Sequence, residues 1–227
     1  MFVLYWLRGR GDRGQVLIIF ALIYLSMLIQ LIYSIPLRST CTDVPTSYLK
    51  AINKMVKRAL DSSLAWKSLG GDFNWYLERA VNNLALNLPI VITILNSTAL
   101  VREGFCRAEA AFAVSDFKFN SHYILRCLSE LNLTILELSR DFPPPSPAFK
   151  ATSLKVKVVK EYGLPISSLN FTLEYYDGNF WIAIDPIVVL DSTGIWIIRA
   201  VIPALASKVR LYVGDWRGIV TYIEFEV

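Results

Sequence analysis

Gln15 to Ile35 reads QVLIIFALIYLSMLIQLIYSI, 21 residues without a charge, and no other segment limits the possible folds as much. At 1.5 Å of rise per residue, such a run spans roughly 30 Å as a helix, the hydrocarbon thickness of a bilayer. A buried core helix of that length keeps a polar face, whereas here Gln15, Ser26, Gln30 and Ser34 are scattered. The run therefore predicts a single membrane-spanning helix over 15–35, stopped by Pro36. Arg8, Arg10 and Arg13 precede it against Asp12, and only Arg38 follows before Asp43. By the positive-inside rule, 1–14 is then a cytoplasmic tail, and everything beyond a neck at 36–45 is extracellular. The expected location is the cell membrane, single-pass, with the lipid bilayer as a partner. Composition agrees, with 54% hydrophobic and only 19% charged residues, against roughly 25% charged in an ordinary soluble domain. The net charge of +4 is dispersed, which excludes a nucleic-acid partner.

The start of the run carries a second signal. Asp12-Arg13-Gly14-Gln15-Val16-Leu17 resembles the class III signal of archaeal type IV pilins and related surface proteins. That resemblance implies cleavage between Gly14 and Gln15, with the hydrophobic helix retained and other envelope or pilus proteins as partners. The sequence departs from the family pattern at Ile19, where many pilins carry Glu, and at Pro36 and Pro45, which interrupt the stem. A processed pilin-like subunit and a retained anchor both stay open.

The remaining sequence divides by composition and period. Tyr48, Ile52, Met55, Val56 and Ala59 recur at helical spacing, with Lys50, Lys54, Lys57, Arg58 and Asp61 on other faces. Lys54, Lys57 and Arg58 are either a solvated helix face or a contact for anionic head groups. Gly70-Gly71 breaks the chain, Asp72 or Asn74 caps a second helix, and Pro89 stops it. Strand-like runs then follow at IVITIL, FCRAEAAFAV, FKFNSHYILRCL and LNLTILEL, with Phe117-Lys118-Phe119 alternating most cleanly. Residues 46–141 thus predict a small α+β domain of two helices and antiparallel strands. FPPPSPAFK, at 142–150, reads as a Pro-rich linker. Residues 151–227 read as all β, six or seven short strands with turn signals such as Asp177-Gly178-Asn179. Gly163-Leu-Pro165, Tyr176-Asp-Gly178, Gly194-Ile-Trp196 and Asp215-Trp-Arg217-Gly218-Ile219 resemble the immunoglobulin-like modules appended to archaeal and bacterial surface proteins. As a class those modules are spacers and adhesion units, so the resemblance implies an Ig-like β-sandwich without catalysis.

No catalytic set, metal site or cofactor is expected. His122 is the only imidazole, and no carboxylate stands at an offset that would orient it. Asp177, Asp185, Asp191 and Asp215 are spaced singly, as turn formers rather than calcium ligands. Cys106 and Cys127 fall on strands of one expected sheet, where a disulfide and two separate buried thiols are equally open, and Cys41 is left over. Asn96-Ser-Thr98, Asn132-Leu-Thr134 and Asn170-Phe-Thr172 are N-glycosylation sequons. The expected function is that of a non-enzymatic, membrane-anchored surface protein, structural or adhesive, a cell-envelope or pilin-like component. The alternative is a membrane-tethered binding or receptor module that uses Tyr175, Tyr176, Trp181 and Trp216, since such aromatics dominate binding hot spots.

Overall fold

The computed structural model describes residues 45–86, 88–139 and 147–227. The expected span over 15–35, the processing site at Gly14 and Gln15, and Cys41 lie outside the described residues.

Helix α1 (Thr46–Ser68) buries Ile52, Val56, Ala59, Leu60 and Leu64, an i, i+4 stripe that faces the core. It ends at Gly70, whose φ of 92° suits a residue without Cβ. Asp72 then caps α2 (Phe73–Leu86), its Oδ1 accepting the Trp75 N–H at 3.1 Å, and Phe73, Leu77 and Val81 complete the helical layer.

Ten strands follow: β1 (Ile90–Arg102), β2 (Phe105–Asp116), β3 (Ser121–Ser139), β4 (Phe149–Lys160), β5 (Leu169–Tyr176), β6 (Trp181–Ile184), β7 (Ile187–Ser192), β8 (Ile195–Pro203), β9 (Lys208–Asp215) and β10 (Val220–Glu226). They form a six-stranded sheet ordered β1-β2-β3-β4-β8-β7 and a four-stranded sheet ordered β10-β9-β5-β6, with every pairing antiparallel. The arrangement is sandwich-like. Its partition, β3-β4-β8-β7 against β10-β9-β5-β6, is that of the ABED and CFG sheets of an immunoglobulin-type sandwich with one added strand.

One face of the large sheet carries both the helices and the small sheet. Along β3 the buried positions are Cys127, Ser129, Leu131 and Leu133, the period of two expected of a strand with one covered face. Ser129 meets α1, its hydroxyl donating to Asp61 Oδ1 at 2.6 Å. On β2 the Cys106 thiol donates to the Val220 carbonyl of β10 at 3.3 Å.

These findings correct the expected fold class. Among the described residues no helix is long and apolar enough to cross a membrane. At 23 residues α1 has the length, but Lys50, Lys54, Lys57, Arg58, Asp61 and Lys67 make it amphipathic. Nor are an α+β domain and a β-sandwich built as separate folds. Residues 43–227 form one compact unit, because β3, from the expected first domain, pairs β4 from Leu131↔Lys160 to Ser139↔Ser153. Phe149 and Lys150, expected in the linker, already belong to β4.

A buried ionic cluster ties the layers together. Arg217, its side chain 4% exposed, sits between Asp215, Glu161 and Asp61. Its Nε donates to Asp215 Oδ2 at 2.7 Å and its Nη2 to the Glu130 carbonyl of β3 at 2.8 Å, while Nη1 meets Glu161. Lys57 of α1 bonds both Asp61 and Glu161. Burial pushes the Glu161 carboxyl up, but Lys57, Arg217 and the Glu130 N–H outweigh it and hold it below its ordinary 4.5. A carboxylate depressed in the folded state stabilises fully above its unfolded value and loses that contribution as pH falls through the folded one. Stability, read as the urea midpoint, is therefore expected to fall as pH drops below 4.5. Glu161→Gln should shrink that fall.

Candidate binding face

The four-stranded sheet turns Val209, Leu211 and Val213 of β9 inward, all fully buried. Period two then puts Lys208, Arg210 and Tyr212 on its outer face. The register aligns Arg210 with Glu224 of β10 on one side and with Glu174 of β5 on the other. It likewise sets Tyr212 opposite Tyr222, and Tyr176 opposite Trp181 of β6.

Arg210 is the centre of this face. Its guanidinium carbon lies 4.0 Å from the Trp181 ring centroid, 5.2 Å from that of Tyr222 and 6.0 Å from that of Tyr212. Tyr176 packs on Trp181 at 5.4 Å between centroids, and Tyr212 on Tyr222 at 5.7 Å. Glu224 Oε2 accepts from Arg210 Nη2 at 2.8 Å, and Glu224 Oε1 accepts from Lys208 Nζ at 3.1 Å. Those two cations hold the Glu224 carboxyl below the ordinary carboxylate range. The result is a planar cation set against three rings, Trp181, Tyr212 and Tyr222, with Tyr176 packed on the first of them. Because each ring is braced by its neighbours, presenting it to a ligand loses little side-chain entropy.

The four aromatics expected to form a binding surface are divided by the fold. Tyr176 and Trp181 come together beside Arg210. Tyr175 alternates to the other side of β5 and packs against the core. Trp216 is 71% exposed in the β9–β10 turn, at the opposite end of β5 from Trp181. Its display has a local cause. Asp215 Oδ1 accepts the Arg217 and Ile219 N–H groups, and the Arg217 side chain turns inward, leaving Trp216 at the tip. Arg210, Tyr212 and Tyr222 are not among the expected residues, although the alternation Lys-Val-Arg-Leu-Tyr-Val over 208–213 carries the signal of the first two.

The other expected residues fall elsewhere. Cys106 and Cys127 are free, buried thiols. Cys106 stands opposite Leu131 and Cys127 opposite Ala110, four ladder positions apart, so the open disulfide is not made. At about 3.4 Å per position that separation exceeds any disulfide's reach. Burial pushes the Cys106 thiol up to about 11, with the nearby Thr221 side chain opposing the rise, and burial raises Cys127 as well. Asn96 and Asn170 are exposed on β1 and β5, and Asn132 is half-buried on β3, its Oδ1 accepting from Thr134 Oγ1 at 3.4 Å. Asn96 and Asn132 both lie on the face of the large sheet turned away from the helices. His122 Nδ1 lies 2.9 Å from Ser115 Oγ at an exposed cross-strand pair. The sandwich aspartates are dispersed: Asp177 accepts the Asn179 and Phe180 N–H groups, Asp191 pairs with Lys155 at 2.8 Å, and Asp215 belongs to the buried cluster.

Comparison with protein-family models, with curated proteins and with solved structures finds no match.

Proposed function

We propose that this protein is a structural or adhesive component of a cell envelope, held at the membrane and engaging a partner through the outer face of the β10-β9-β5-β6 sheet. The observation that carries this reading is the Arg210-centred cluster with Trp181, Tyr176, Tyr212 and Tyr222. Trp, Tyr and Arg are the residues over-represented at binding hot spots, and braced aromatics lose the least freedom on binding. The exposure of Trp216 favours the binding-module form of the proposal over a pure spacer. Membrane attachment is supported by the uncharged run at 15–35 and the arginines before it, and a pilin-like origin by Asp12–Leu17. The Ig-type strand partition supports a surface role, since modules of that class serve as spacers and adhesion units.

Beads coated with the full-length protein test the adhesive part, scored for attachment to one another and to cells of the source strain. Arg210→Ala and Trp181→Ala are each expected to reduce attachment at least tenfold while leaving the melting temperature within a few degrees. Attachment unchanged by both substitutions defeats the assignment of the face. Protease added to intact cells should digest 151–227, and protection of that region defeats the surface location.

A further inference from the structure

The turn after β4 holds a residue in the wrong backbone state for its type. Leu164 N–H donates to the Glu161 carbonyl at 3.3 Å, with Tyr162 at φ 61°, ψ 23° and Gly163 at φ 71°. That is a type I′ turn, whose central positions Asn-Gly or Gly-Gly occupy without strain. A tyrosine in the left-handed region costs free energy, and such strain persists only where the surroundings impose it. Here Glu161, gripped by Lys57, Arg217 and the Glu130 N–H, imposes it. Packing does not offset the cost, because Tyr162 is 83% exposed. Its side chain instead forms the wall between two clefts, of about 420 and 450 Å³, which share Arg126, Cys127 and Leu128.

The first cleft collects like charge. Lys50, Lys54 and Lys57, on successive turns of α1, line it together with Arg126 of β3 and Lys160 at the end of β4, and its acidic lining residue, Glu161, is already engaged by Lys57 and Arg217. Lys57 is neutralised by Asp61 and Glu161. Among the described residues the other four make no ion pair. Uncompensated cations around one concavity repel each other in the free protein and attract a multivalent anion. An exposed phenol at the rim adds a hydrogen-bond donor and a flat surface for the body that carries the charge.

We propose that this cleft binds a phosphate-class anion, free or carried on a lipid head group, held by Lys54, Arg126, Lys160 and Tyr162. The site lies away from the Arg210 face and stands independently of the adhesive reading. The volume exceeds that of inorganic phosphate and leaves room for a phosphorylated polyol.

Titration calorimetry of the full-length protein tests the proposal with three probes: inorganic phosphate, short-chain phosphatidylglycerol and short-chain phosphatidylcholine. Saturable binding of inorganic phosphate, weakening as salt rises, is the result expected of a free anion. Binding of phosphatidylglycerol alone assigns the head group as the source. Binding of none of them, or equal binding of both lipids without phosphate, overturns the proposal. The double variant Lys54→Ser, Arg126→Ser should weaken binding at least tenfold. Tyr162→Gly separates ligand use from structural need. It should raise the melting temperature by about 2–4 °C by releasing the strained backbone, yet weaken binding severalfold. A Tyr162→Gly protein that melts lower shows that the tyrosine serves the fold, and one that binds as tightly as the parent overturns its role in the site.

Discussion

Arg217→Met is expected to destabilise the protein by about 3–5 kcal/mol, the usual loss when one member of a buried ion pair is removed. The side chain is nearly sealed from water, and its three carboxylate partners are 0–12% exposed. Without Arg217, Lys57 alone would face Asp61, Glu161 and Asp215. Asp215 would be hit hardest, since its Oδ2 takes both the Nε and Nη2 bonds at 2.7 Å. Methionine fills the space but returns no donor, so the Glu130 carbonyl also loses its partner. Urea unfolding at pH 7 measures the loss, and a change below about 1 kcal/mol, the range of exposed pairs, would show that water reaches the cluster. Arg217→Lys should recover only part of the difference, because one ammonium cannot reach Asp215, Glu161 and the Glu130 carbonyl together as the planar fork does.

Phe112→Ala, in the middle of β2, is expected to lower stability by a similar amount, about 3–5 kcal/mol. Phe112 is fully buried and is among the largest side chains in the core. The telling feature is where the loss shows. A single hydrophobic cluster runs from Ile52 and Leu77 in the helices to Leu211 in the small sheet and Ile219 in the turn before β10. A cavity at Phe112 should therefore move the unfolding of helix and sandwich together. Far-ultraviolet ellipticity and tryptophan fluorescence should give coincident transitions at a lower midpoint. Two separated transitions, with only the helical one displaced, would mean that the halves unfold as independent bodies.

Local elements were legible where one residue type carries the physics. The apolar stripe of α1, the Gly70-Gly71 break and the capping Asp72 all appear as read. The cleanest alternation, Phe117-Lys118-Phe119, proved to be a turn. Asp116 Oδ1 accepts the Lys118 and Phe119 N–H groups there, and Asn120 takes φ 46°, so turn chemistry overrode period. IVVLDS of β7, exposed at most positions, lacks the alternation of a strand with one covered face and so carries little strand signal in the sequence. The division at the prolines misled for another reason. Proline content reports a local extended conformation and is silent on which strands pair across it, and β3 with β4 pair across it. The binding face was half visible. Trp181 and Tyr176 could be named by type, but Arg210 became central only through the β5–β9 and β9–β10 registers, which set it beside Glu174 and Glu224, 36 and 14 residues away.

The topology also sets an order in time. β1 to β4 form an up-and-down run, each strand paired with the next in sequence. β4 instead finds β8, with Lys157 opposite Ile195, and β5 finds β9, with Leu169 opposite Asp215. Near pairings close small loops and form early, whereas distant ones wait on a larger entropy loss. During synthesis the helices and β1 to β3 emerge before β10, so Ser129 of β3 can already meet Asp61 of α1 while the strand beyond it still lacks its small-sheet partner. Leu131 and Leu133 lie on that later stretch of β3, which is in contact with β10 in the finished fold. The distant pairings are the ones that bring Asp215 and Arg217 to Asp61 and Glu161, so the ionic cluster is expected to close after the local β1–β4 run has formed. A nascent chain stopped before residue 208 should be held by chaperones and cut readily by protease, and one that runs through residue 227 should not.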